Sequence, residues 1–158
     1  MTSADACAYQ GLPGAFSEDA ALAFVGARAD LWPCPTLADV FAALAAGHVR
    51  RAVVPIENSL AGQVPGCAEL IARHDVRIIA ERAHPIRQAL VAPAGVRLGA
   101  IRRVLSHPVA IAQCGRFFRA HPALAAVPVF DTAGALAEIT RSQAADRAAV
   151  ASPRPPGA

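Results

Sequence analysis

A carboxylate, a carboxamide and a hydroxyl follow one another at Glu57-Asn58-Ser59, between the apolar run Ala52-Val53-Val54 and Gly62. Together these groups can donate and accept hydrogen bonds and move a proton. The apolar run reads as a buried strand over 52–54, and a helix is expected from about Pro65 to Arg73. Polar side chains between a strand's carboxyl end and a helix sit where open α/β sheets place ligands. Three further loops share this make-up: Gly11 to Ser17, Ser106-His107-Pro108 and Asp131-Thr132-Ala133-Gly134. Each supplies a hydroxyl or an amide and opens a helix, whose first N–H groups and positive dipole end attract anions. One capping Ser or Thr is ordinarily only a cap. Four such loops together point to a shared cleft for a small dicarboxylate.

Gln113 lies inside the apolar helical segment Ala110-Ile111-Ala112-Gln113-Cys114, where a plain surface residue is the simpler reading. Glu57 reads equally as a solvated loop carboxylate or an arginine's partner. His107 precedes a proline and can cap a helix; no spaced partner makes it a metal ligand. His48, His74, His84 and His121 read as helix-end or turn residues. The chain has no lysine, so its +3 charge comes from arginine. That excludes Schiff-base aldolase, pyridoxal-phosphate and phosphate-loop ATPase chemistry for these residues. The mild positive balance suits small anionic substrates. Arginines are dispersed and there is one Trp and one Tyr, which argues against a nucleic-acid surface.

The elements that must hold these loops follow from pattern. Ala6 to Tyr9 reads as a strand, and Ser17 as the N-cap of a helix reaching about Gly26. Thr36 and Asp39 have capping-box spacing ahead of Leu37, Val40, Phe41 and Leu44, with Gly47 closing the helix. Residues 76–83 read as an extended strand. Strands follow at 89–92, 104–105, 127–130 and 148–151, with helices from Pro108 to about Arg119 and from about Ala133. The alternation describes two α/β lobes, 1–80 and 81–152, then a Pro-rich tail at 153–158 that suits neither helix nor central strand. No sequence-level repeat relates the halves.

At 158 residues and 54% hydrophobic content the chain is globular. Much of that content is alanine, so the core is expected to rest on Val, Leu, Ile and the six Phe. No apolar run approaches the roughly 20 residues of a membrane span. No basic-then-apolar start marks a secretory signal, so a cytoplasmic setting is expected. Cys7, Cys34, Cys67 and Cys114 form no Cys-x-x-Cys pair and are expected to be small buried hydrophobes.

The sequence resembles the catalytic domain of the prephenate dehydratases and the related arogenate dehydratases. Four ordered segments carry the likeness: Ala8 to Glu18, Val54 to Gly62, Val104 to Pro108 leading to Ala112-Gln113-Cys114, and Asp131 to Gly134. The match runs from about residue 6 to 152. The resemblance implies an α/β, two-lobed fold of the periplasmic-binding-protein type II-like kind with the site between the lobes. It implies a carbon–oxygen lyase of phenylalanine biosynthesis that converts prephenate to phenylpyruvate, water and CO2. No cofactor and no metal is implied, and a homo-oligomer is.

Carried over by position, Asn58, Ser59 and Glu57 match the first lobe's catalytic loop. Asn58 and Gln113 are expected to orient the substrate and stabilise developing charge, with Glu57 shaping the loop. Ser106 matches a second-lobe residue facing the substrate, and Thr132, Ala133 and Gly134 match a loop at its acidic end. The family's histidine after the interlobe strand is replaced by Gln88, which can supply its hydrogen bond. The family's Thr-Arg-Phe segment, with its catalytic threonine, occurs nowhere here, and no regulatory domain follows. The expectation is therefore a C-terminally truncated enzyme. A catalytically silent module that binds a small carboxylate is the alternative, and prephenate against arogenate stays open.

Overall fold

Cys7-Ala8-Tyr9-Gln10 forms the central strand β1 of a three-stranded parallel sheet, with its side chains alternating between two covered faces. The structure is a computed structural model and describes residues 6–130 and 132–153. Asp131 and residues 154–158, most of the expected Pro-rich tail, lie outside the described residues. The chain divides into two compact units, Met1–Pro85 and Ile86–Ala158.

In the first unit, β1 runs into α1 (Phe16–Val25), β2 (Leu31–Cys34), α2 (Leu37–Ala45) and β3 (Arg51–Val53). The order β2-β1-β3 means that the crossover from β1 to β2 and the crossover from β2 to β3 run in opposite directions along the sheet. Helix α1 covers Cys7 and Tyr9 through Ala21 and Val25, while α2 covers Ala6 and Ala8 through Val40 and Ala43. Apolar residues on both faces of β1 make this double cover necessary. Strand β2 was not foreseen from sequence. Its Trp32-Pro33 pair breaks the strand pattern, but a proline without an N–H is tolerated because β2 is an edge strand.

Helix α2 has the expected start: Thr36 Oγ1 accepts from the Asp39 N–H, and the Asp39 carboxylate accepts from the Thr36 N–H. It ends as glycine placement suggests, with His48 N–H donating to Ala43 O and Gly47 N–H to Leu44 O. Ser17 is not a cap. Ala15 holds the N-cap position of α1, and Ser17 lies inside the first turn. The end is tied instead by Glu18, whose carboxylate accepts from the Gly14 N–H at 2.7 Å.

After β3 come the two-residue strands β4 (Glu57–Asn58) and β5 (Gly62–Gln63), paired antiparallel, then α3 (Cys67–Arg73). Residues 75–88, expected to hold a strand over 76–83, have no regular structure. A strand needs a ladder partner, and none of the described strands pairs with this segment; Ile78 and Ile79 stand 68% and 76% exposed.

The second unit repeats the winding. It comprises β6 (Ala89–Val91), β7 (Arg103–Ser106), α4 (Pro108–Gln113), α5 (Gly115–Ala120), β8 (Ala125–Pro128), α6 (Thr132–Ser142) and β9 (Arg147–Ala151). Its sheet order is β6-β9-β7-β8, with β6 antiparallel and the rest parallel. The parallel core β8-β7-β9 thus has the connectivity of β2-β1-β3, a repeat invisible in the residues themselves. Val104, Ala148 and Val150 pack with Ala110, Phe117 and Phe118 on one face. Leu105 and Ala149 pack with Ala135 and Ile139 of α6 on the other. The expected single helix from Pro108 is broken at Cys114 (φ −91°, ψ 15°), where Gly115, a weak helix former, follows.

The core departs from expectation in composition. Of the six Phe only Phe41 is buried, and Phe130 is 85% exposed. Ala8, Ala148, Ala149 and Ala151 are fully enclosed instead, because a doubly covered strand lets helices approach closely over small side chains.

Candidate functional site

All four polar loops leave the carboxyl ends of parallel strands or of their crossovers, where doubly wound sheets open a crevice. In the first unit the loop after β1 and the hairpin after β3 belong to neighbouring strands. Gly11 has φ +110°, and an added Cβ would stand 3.0 Å from the Ala15 Cβ, so this turn requires glycine. Tyr9, 1% exposed, reaches Glu18 with its hydroxyl, and the same carboxylate holds Gly14. This Tyr9–Glu18–Gly14 tie shapes the first loop and was missed from sequence. The available signal was the phenol of a core tyrosine, which must find a partner when buried.

The hairpin is organised by Asn58. Its Oδ1 accepts from the Leu60 N–H at 2.9 Å and the Ala61 N–H at 3.0 Å. Both acceptor directions are thereby used inside the turn, and Nδ2 with its two hydrogens is the end left to face a ligand. Gly62, at φ +79°, closes the turn. Glu57 pairs across the hairpin with Gln63; Glu57 and Ser59 are both exposed. Glu57 therefore belongs to the frame of the hairpin, at its open surface.

In the second unit Ser106 ends β7 and is fully buried. Its hydroxyl donates to the Val150 carbonyl at 2.6 Å, tying β7 to β9 at the carboxyl edge of the sheet. His107 accepts from the Val109 N–H through Nδ1 and so caps α4. Thr132, Ala133 and Gly134 make the first turn of α6, at the end of the helix where the dipole is positive.

Gln113, last in α4, is half-buried rather than exposed, and its Oε1 accepts from Gln88 Nε2 at 2.8 Å. Gln88 enters β6, whose Ala89 pairs with Ala151 at the carboxyl end of β9. Asn58 and Gln113 thus share one design: each amide oxygen is held by the protein, which leaves an NH2 to donate. In each unit an oriented NH2 donor of this kind suits an anion or a carbonyl oxygen. The residues of each unit cluster at that unit's loop edge.

Other features lie elsewhere. Arg103, at the opposite edge of the second sheet, bonds Asp146 at 2.6 Å and holds that carboxyl below its ordinary range. A concavity of about 380 Å³ lined by Trp32, Cys34, Asp39 and His48 runs along β2 and α2 and contains none of the loop residues. Cys7, Cys34 and Cys67 are buried free thiols, and Cys114 is half-buried.

Burial raises Cys7, Cys34, Cys67 and Cys114 above the thiol value of 9.0. Burial, then the Glu18 carboxylate, raises Tyr9 well above 10.0. Where the unfolded chain has released these protons and the folded chain has not, stability falls as pH rises. The thermal midpoint is expected to hold up to about pH 8.5 and to drop steadily above the unfolded thiol and phenol values. Tyr9→Phe should flatten the decline above pH 10 in melts at fixed ionic strength. A midpoint constant from pH 8 to 10.5 would contradict this account.

A family model described as prephenate dehydratase matches residues 7–155. The chain is 42% identical over 146 residues to arogenate dehydratase/prephenate dehydratase 2, chloroplastic, of Arabidopsis thaliana, covering 92% of this chain and 38% of that protein. It is 40% identical over 148 residues to arogenate dehydratase 1 of Petunia hybrida, covering 93% and 35%. The solved prephenate dehydratase of Arthrobacter aurescens in complex with L-Phe superposes with a TM-score of 0.84 at 36% identity, over 94% of this chain and 49% of that one. The quorum-quenching acylase GqqA superposes with a TM-score of 0.81 at 34% identity, over 94% and 54%. The chain spans little more than a third of the length of these curated relatives. Its α/β units are of the periplasmic-binding-protein type II-like fold class that the resemblance implied. With the match running through all four polar loops, the chain belongs to the prephenate dehydratase family.

Proposed function

We propose that this chain carries the dehydratase chemistry of its family, converting prephenate to phenylpyruvate, water and CO2 as a carbon–oxygen lyase. The observation that supports this most is the local tie of Asn58 and of Gln113, each with its oxygen held within its own unit and its NH2 left to donate. In the reaction the bond from the ring to its carboxylate breaks and CO2 leaves. The electron pair enters the ring and expels the ring hydroxyl, which takes up a proton and departs as water. Aromatisation drives the step, so the protein must hold two carboxylates and ease the departure of the hydroxyl. The reading gives one carboxylate to the first turn of α6, at Thr132, Ala133 and Gly134. Asn58 and Gln113 stabilise charge as it moves across the ring. Glu57 and Ser59 keep the hairpin in shape, and Ser106 ties β7 to β9 at the carboxyl edge of the second sheet.

Arogenate, with an ammonium in place of the keto group, is the second substrate to test, because the relatives at 42% and 40% identity carry that name. The test is turnover of each compound by the purified chain, followed as phenylpyruvate or phenylalanine, with calorimetric binding alongside. Turnover establishes the reading. Binding without turnover leaves a silent carboxylate receptor, and the absence of both turnover and binding overturns the reading.

A further inference from the structure

We propose that Gln88 is a positioning residue that sets the polarity of Gln113, holding its amide with the NH2 toward the ligand. This deepens the proposed function and rests on its reading of Gln113 as a residue that faces the substrate. Gln88 Nε2 donates to Gln113 Oε1 at 2.8 Å, joining the segment that enters β6 to the end of α4 across 25 residues of sequence. Gln88 Oε1 is buried and has no hydrogen-bond partner among the described residues. Turning both amides over would preserve the bond. It would also put Gln88's NH2 where the buried Oε1 now sits, so that two donor hydrogens in place of one acceptor would need partners there. Leaving buried donors unmade is costly, so the pair has a preferred sense. In that sense Gln113 can only donate outward, which selects an anionic or carbonyl oxygen. In the reverse sense it would present its own oxygen and repel a carboxylate.

The position therefore needs a donor, not merely a side chain of suitable size. Gln88→His keeps a ring N–H that can donate. Gln88→Leu removes the donor and frees Gln113 to rotate. Gln88→Glu, ionised, only accepts, and so forces Gln113 to turn its NH2 inward. Prephenate affinity of the full chain, measured by calorimetry near pH 7.5, is expected to rank wild type and His together, Leu weaker and Glu weakest. The glutamate variant should lose about 10- to 100-fold, the cost of a donor to a charged group. Where turnover is measurable, kcat should fall along with affinity in the same order, because a misoriented Gln113 also loses its hold on the charge that develops in the ring.

Equal losses in all three variants would mean that Gln88 only fills space, and would overturn the proposal. Gln88→Glu binding like wild type while Gln113→Leu is impaired would overturn it and leave the reading of Gln113 intact. Gln113→Leu binding like wild type would remove that reading and the proposal with it. A direct readout on the wild-type protein does not depend on variants that fold. In side-chain amide NMR the Gln88 NH2 should be protected from solvent exchange and the Gln113 NH2 should exchange freely. The opposite pattern overturns the assignment.

Discussion

Asn58→Asp is expected to leave the fold intact and to weaken prephenate binding by about 10- to 100-fold, the range for losing a hydrogen bond to a charged group. An aspartate oxygen can still accept from Leu60 N–H and Ala61 N–H, so the hairpin turn persists. What disappears is the NH2 at the other end of the side chain, and a negative charge takes its place. A dicarboxylate then meets repulsion where it met a donor. Asn58→Ala separates the two roles, because it loses the turn acceptor as well. On a solvent-exposed turn that should cost about 1 kcal/mol of stability at most, since water can serve the released N–H groups. Calorimetry for binding and thermal melts for stability check both variants. Unchanged binding in the aspartate variant would show that Asn58 serves the hairpin alone, and the dicarboxylate reading of that loop would fall.

Ile139→Ala should destabilise the second unit by about 2–4 kcal/mol, a large share of the roughly 5–15 kcal/mol that holds a domain together. Ile139 is 2% exposed and sits among Leu105, Ala135 and Ala149, with Val127 and Val129 against the cluster. Its neighbours include small alanines on strand and helix, which have no spare atoms with which to fill the void. The same helix presents Thr132, Ala133 and Gly134 at its start, so loss of this contact loosens the proposed carboxylate site. Excess prephenate should restore part of the stability through binding to the folded state, about 2.7 kcal/mol at a hundred times Kd. Urea denaturation with and without prephenate measures both effects. Ala137→Ser, on the exposed side of α6, is the control and should move stability by no more than about 0.5 kcal/mol. If Ile139→Ala matched that control, the packing of α6 on the sheet would be misdescribed.

What the sequence alone determined is local. The capping box of Thr36 and Asp39, the glycine closure after α2, the strand runs around Ala8, Val53, Leu105 and Ala149, and the polar loops beyond them all rest on neighbours a few residues apart. Patterns of that range can be read before folding, because caps, turns and amphipathic periodicity are properties of short segments. The same holds for the four ordered motifs that carry the family resemblance, including Asn58, Ser59, Gln113 and Thr132. The rest was decided by tertiary pairing. Leu31–Cys34 becomes a strand because β1 offers it an edge, whereas the more strand-like 76–83 finds no ladder and stays irregular. Glu18, rather than Ser17, ties the entry to α1, because a buried Tyr9 brings its phenol to the same carboxylate. Ser106 meets Val150 across 44 residues and Gln88 meets Gln113 across 25. No spacing rule reaches that far. Residue types were legible in the chain, but which end of each amide faces outward depends on the partner that folding brings to it.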